Sequence, residues 1–156
     1  MRVIGWREWV ALPALGIERI KAKVDSGART SALHAFAVEV ERRQGQLWVR
    51  FGVHPVQRRS EPVVWSEVPV LDRRVVRDSG GHEEERYVIE TAVRIGKELR
   101  LVEVTLTDRD NMGFRMLLGR TALRGDYLID PGRSYLAGRR TLASPGLGST
   151  PRGKEN

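Results

Sequence analysis

Asp25-Ser26-Gly27 closes the run Ile20-Lys21-Ala22-Lys23-Val24, and it is the triplet best suited to acid–base chemistry in this chain. Ile20, Ala22 and Val24 alternate with Lys21 and Lys23, which is the period of a half-buried strand. An acid, a hydroxyl and a glycine then break the alternation and favour a tight turn. A carboxyl carried out of a packed core on such a turn is held rigidly, partly desolvated and within reach of backbone N–H groups. Those conditions tune a carboxyl for proton transfer. The same three residue types are also ordinary turn composition, so the triplet alone leaves the chemistry open.

The elements that must position this turn read as short strands. Trp9-Val10-Ala11-Leu12 is an apolar strand closed by Pro13, and a turn around Leu15-Gly16 leads into Ile20–Val24. After the acid, Thr30 to Val40 resumes an extended pattern, and Gln44-Gly45-Gln46 turns it into Leu47–Val53, whose odd positions are all apolar. Val63-Val64-Trp65 and Val68-Pro69-Val70-Leu71 read as two short strands, with Pro69 indicating a sheet edge. Val75–Arg77 and Glu85–Ile89 flank the glycine-tipped hairpin Asp78-Ser79-Gly80-Gly81-His82. Leu99–Leu106 is a return strand. Phe114–Gly119 is a buried strand, and Arg120-Thr121-Ala122-Leu123-Arg124 is a short helix ended by Gly125. Tyr127-Leu128-Ile129 is a last strand before Asp130-Pro131-Gly132. Many short strands with a single helix imply an all-β fold, a closed barrel.

Length and composition set bounds on function. A chain of 156 residues with 40% apolar and 30% charged content is one globular domain, residues 1–138, with a polar Pro/Gly/Ser-rich tail over 139–156 expected to be disordered. The absence of cysteine excludes disulfides, a zinc ribbon and a thiol nucleophile. No stretch is apolar for long enough to span a bilayer as a helix, so a cytoplasmic setting without a membrane partner is the expectation. The net charge of +7 suits an acidic partner. Most of the arginines are single and few aromatics stand beside them, which argues against a nucleic-acid platform.

Three parts of the chain together resemble the retropepsins, the half-size aspartic proteases. They are Val24-Asp25-Ser26-Gly27-Ala28, the glycine-rich Ser79-Gly80-Gly81, and Leu117-Leu118-Gly119-Arg120 opening a short helix. The longer run from Lys21 to Ala35, with Val53-His54-Pro55 and Met116–Arg120, resembles a bacterial branch known as ATP-dependent zinc proteases, or RimB-like peptidases. The resemblance spans roughly residues 3–138 and implies an acid-protease barrel, with Asp25, Ser26 and Gly27 as the catalytic triplet. It further implies Ser79, Gly80 and Gly81 in a flap, and Leu117-Leu118-Gly119 packed beneath the turn. Carboxyl-driven peptide hydrolysis needs two carboxyls about 3 Å apart sharing one proton, titrating as a unit. One well-placed acid per chain therefore implies a homodimer contributing two copies of Asp25.

A second Asp-Ser-Gly, at Asp78-Ser79-Gly80, could supply an intramolecular dyad instead. It follows Arg77 rather than an apolar strand end, and no second Leu-Leu-Gly-Arg accompanies it. A metal is a separate possibility. His34 and His54 lie on strands that could pair, but no His-Glu-x-x-His helix exists and no phosphate-binding Gly-x-x-x-x-Gly-Lys loop is present. No cofactor is expected, and each histidine is read as structural. For substrate, Arg29, Arg86 and Arg120 lie on or near the site elements and can pair carboxylates bidentately. Relatives of the branch are associated with RimK-type ATP-grasp ligases, which add glutamates to protein tails. The resemblance thus implies an acidic peptide substrate and a possible ligase partner. A non-catalytic barrel that binds acidic peptide or a partner ATP-grasp ligase is the alternative, and a zinc metallopeptidase a third.

Overall fold

A computed structural model describes residues 1–77, 80–109 and 113–138. The expected tail over 139–156 and the flap residue Ser79, with Asp78, lie outside the described residues. The strands of the described residues are β1 (Arg2–Leu12), β2 (Ile17–Val24), β3 (Ser31–His34), β4 (Phe36–Arg43), β5 (Gln46–Val53), β6 (Val64–Pro69), β7 (Asp72–Arg77), β8 (Glu83–Ile95), β9 (Glu98–Thr107), β10 (Met116–Leu118) and β11 (Tyr127–Ser134). Pro13–Leu15 and Arg120–Ala122 form single 3-10 turns.

The all-β expectation holds. Eight strands form one sheet in the order β11-β1-β2-β10-β3-β9-β8-β7, and a further pairing of β1 with β8 at Val10–Ile95 and Ala11–Arg94 brings the two arms of the run together. β4, β5 and β6 make a separate three-stranded sheet. The space between is filled by alternating apolar residues. Ile20 and Ala22 of β2, Leu33 of β3, Phe51 of β5, Val104 of β9, and Met116 and Leu118 of β10 are all nearly or fully removed from water.

Four local differences from the sequence expectation have physical causes. The extended run Thr30–Val40 is two strands, because Ala35 is buried and donates to Thr107 O while Ala37 takes φ +52, so the chain leaves the large sheet for the small one. The region read as two strands, Val63–Trp65 and Val68–Leu71, holds the single strand β6 (Val64–Pro69). Ser66 faces inward without interrupting it, since its hydroxyl donates to Leu15 O at 2.8 Å. Pro69 does fall on an edge strand, as expected. The short helix is a three-residue 3-10 turn closed by Leu123 N–H to Arg120 O, although Gly125 does follow it with φ +92. Finally, β11 runs on through Asp130-Pro131-Gly132 to Ser134, which is tolerated because it pairs on one side only.

Candidate active site

The turn that carries Asp25 is built by two strands remote in sequence. β2 ends at Val24, and β10 lies parallel beside it with Leu118 opposite Val24. The Asp25 N–H donates to Leu118 O at 2.9 Å, and the Gly27 N–H donates to Asp25 Oδ1 at 2.9 Å. Ala28 N–H closes the turn on Asp25 O at 3.2 Å. A carboxylate oxygen held by a backbone N–H two residues on is an Asx-type turn, which fixes the side chain without burying it. Asp25 is half-buried, and Ser26 and Gly27 are exposed.

The segment after β10 clamps the far side of the loop. Arg120 N–H donates to Ala28 O at 2.8 Å and Thr121 N–H to Arg29 O at 3.1 Å. Gly119 N–H donates to the hydroxyl of the fully buried Ser31 at 3.0 Å. A Cβ on Gly119 would stand 2.6 Å from the carbonyl carbon of Thr30, so only glycine permits this approach. Leu117-Leu118-Gly119 thus sits against the turn, where the resemblance put it. The guanidinium of Arg120 faces inward to the loop, its Nη1 donating to the carbonyls of Ser26 and Gly27 at 3.2 and 3.3 Å.

Asp25 opens onto a cleft of about 860 Å³. The turn residues from Gly27 to Thr30 form one side, Arg74–Arg77 of β7 another, and Phe114–Leu117 a third, with Thr105, Thr107 and Arg86 between them. Among the described residues, Asp25 is the only acid that lines it. The hairpin of β7 and β8 therefore gives its arm to the cleft. Gly80 and Gly81 near its tip are exposed, Gly81 with φ +87, and neither lines the cleft.

The cleft arginines differ in how far their charge is already met. Arg74 donates to Glu103 and Asp72, each at 2.8 Å. The bond to Glu103, then that to Asp72, raises its pKa; the Arg74 bond in turn lowers that of Asp72. Arg77 pairs with Glu83. Arg86 is only 12% exposed; its Nε donates to Glu84 at 3.1 Å and its Nη1 to Thr105 at 3.2 Å. Arg29 is exposed, lines the same cleft as Asp25 and has no ion pair among the described residues. Of the three arginines expected to meet substrate, Arg29 and Arg86 line the cleft and Arg120 does not. Sequence reasoning missed Ser31, Glu84 and the Thr105–Thr107 pair. Ser31 alternates with buried Leu33, so a hidden hydroxyl with an assigned partner was readable there.

His34 and His54 are not brought together with further ligand-type side chains among the described residues. His34 Nε2 lies 3.1 Å from Asp108 O and its Nδ1 3.2 Å from Arg115 Nη1, so both ring nitrogens are engaged. The His54 ring stacks on Phe36 with centroids 4.2 Å apart. Among the described residues no three His, Cys, Asp or Glu side chains converge as a ligand set would.

Residues 3–140 match the model of a family described as RimB-like, retropepsin-like aspartic endopeptidase RimB. The chain belongs to this family. Similar curated proteins carry the name probable alpha-L-glutamate ligase. One from Shewanella pealeana is 46% identical over 138 residues, which cover 88% of this chain and 30% of that protein. One from Parasynechococcus marenigrum is 48% identical over 136 residues, covering 87% of this chain and 29% of that protein. The RimB-like chain thus spans about a third of the length of the curated relatives it matches. Protein Lpg0085 of Legionella pneumophila, of unknown function, superposes with a TM-score of 0.72 at 23% identity, covering 87% of this chain and 98% of that one. That likeness concerns the fold. No helix of the described residues is long and apolar enough to cross a membrane.

Proposed function

We propose that this protein is an aspartic-type endopeptidase, a homodimer in which two retropepsin-like barrels face each other and their Asp25 carboxyls share one proton. The observation that carries this reading is that Asp25 is the single acid among the described residues that line the cleft. It sits at the apex of a turn pinned from both sides, with no second described carboxyl there to work with it. Acid-catalysed peptide hydrolysis needs that second group, and two-fold symmetry supplies it without further sequence. The exposed Ser26 and Gly27 are the surfaces a second copy would cover.

The chemistry then balances within the pair. The ionised carboxyl takes a proton from water as its oxygen attacks the peptide carbonyl, and the protonated carboxyl donates to the carbonyl oxygen. Collapse of the tetrahedral adduct breaks the C–N bond and returns a proton to the leaving amine, giving one new carboxyl and one new amine. The β7–β8 hairpin, with Gly80 and Gly81 near its tip, is the flap that excludes water once substrate is in place.

For substrate we infer acidic peptide, glutamate-tailed protein above all. Arg29 supports this, an exposed cation of the same cleft whose charge no described acid has met. The glutamate-ligase names of relatives that contain a segment like this one support it independently, and suggest a RimK-type ligase as partner in the cytoplasm. Those names also favour a second reading, in which the domain only binds the glutamate tail on the ligase's behalf. Cleavage of a glutamate-tailed peptide by the wild type and not by Asp25→Asn supports the peptidase. Equal binding by both proteins with no cleavage by either supports the binding module.

A further inference from the structure

Glu84 stands near the start of β8, the second arm of the hairpin, and its carboxylate lies in a ready-made anion cradle. Arg86 Nε donates to Oε1 at 3.1 Å, and the hydroxyl of Thr107 lies 3.2 Å from both carboxylate oxygens. Arg109 Nε is 3.7 Å from Oε1. Arg86 and Thr107 are largely removed from water, and the cradle is braced from behind. Thr105 holds Arg86 Nη1 and itself donates to Ser31 O at 3.3 Å, while Thr107 accepts the Arg109 N–H at 3.1 Å. Arg86, Thr107 and Arg109 all line the cleft that Asp25 opens onto, whereas Glu84 does not.

We propose that Arg86, Thr107 and Arg109 form a carboxylate-binding subsite of the cleft, occupied at rest by Glu84 and taken over by an Asp or Glu side chain of the bound peptide. Two guanidiniums and a hydroxyl converging on one carboxylate recognise that group by geometry as well as charge. Glu84 and Arg86 both stand on β8, so a rotamer change of the partly exposed Glu84 side chain frees the cradle as substrate enters. A tethered carboxylate is present at high effective concentration, and a competing ligand must overcome it. Glu84 therefore sets a threshold, in that only a peptide held by its other contacts displaces it.

The identity of the ligand rests on the acidic-substrate reading, but binding is measured without hydrolysis, so the two fail separately. In an Asp25→Asn background, calorimetric titration with tri-glutamate and with tri-glutamine reads the subsite. Glu84→Ala is expected to bind tri-glutamate about fivefold more tightly, the scale of one half-exposed ion pair, with tri-glutamine unchanged. Adding Arg86→Gln should abolish that gain. Glu85→Ala removes the same charge from the next position, and should gain less than Glu84→Ala. Glu84→Gln, which keeps the side chain's size, gives the same direction if the alanine variant does not fold. Equal tri-glutamate affinity with and without the Glu84 carboxylate would overturn the assignment. So would a gain that survives loss of Arg86, or one matched by Glu85→Ala.

Discussion

The backbone N–H of Asp25 donates to the carbonyl of Leu118 at 2.9 Å, so the acid at the end of β2 is registered by a strand more than ninety residues later. This single bond makes Leu-Leu-Gly-Arg part of the same device as Asp-Ser-Gly. The turn cannot shift without unzipping β10 from β2.

Gly119→Ala tests that coupling. Its new Cβ would press on the Thr30 backbone at 2.6–2.9 Å, where no flexible side chain can yield. The expected cost is about 3 kcal/mol of folding stability, read as the denaturant midpoint, with activity lost at temperatures where the variant is still folded. An unchanged midpoint would mean that the loop is not held as described.

Ser31→Ala removes the acceptor for Gly119 N–H and leaves that donor buried. A loss of about 1–2 kcal/mol follows, while Ser31→Thr, which keeps the oxygen, should recover part of it. Chemical denaturation of the two variants side by side measures the difference.

Arg29→Glu places an acid beside the cleft at the one cationic position named here as unmet. On glutamate-rich peptides kcat/KM should fall by about tenfold or more, and on glutamine versions of the same peptides it should stay within about twofold. Equal loss on both would sink the acidic-substrate assignment.

Tyr127 offers a pH test of the fold. Its hydroxyl is buried with no hydrogen-bond partner among the described residues, and burial, with Glu98 nearby, raises its pKa above the ordinary 10.0. The folded state therefore holds this proton more tightly than the unfolded chain does. The contribution to stability is full below pH 10.0 and is lost as the pH climbs from there through the raised value. Tyr127→Phe should be no less stable at neutral pH and should lose stability less steeply above pH 10, as followed by alkaline unfolding monitored by circular dichroism.

How much was legible in the sequence follows from which signals are local. The Ile20–Val24 alternation and its abrupt stop were readable because period 2 and the turn chemistry both act over a few residues. The contact of Leu118 with that stop came through the family resemblance, since no local pattern encodes a parallel pairing across ninety residues. Ser66 was misread as a break because a polar residue facing inward looks like a loop until its partner, Leu15 O, is seen. Arg86 and Arg120 looked alike in sequence, both cations near the site. Only the fold distinguishes a guanidinium that lines the cleft from one spent on the carbonyls of Ser26 and Gly27. Glu84 gave no sign at all, because its role depends on Thr107 at the end of β9 and Arg109 just beyond it.

The most direct test of a dyad shared between two chains is subunit mixing. Wild-type protein and Asp25→Asn are combined in varying ratio at fixed total concentration, allowed to exchange, and assayed on a glutamate-rich peptide. If each active unit needs two Asp25 carboxyls, activity follows the square of the wild-type fraction, and an equal mixture retains about a quarter of the full rate. A linear decline to about half, or hydrolysis that persists in Asp25→Asn alone, would contradict the account.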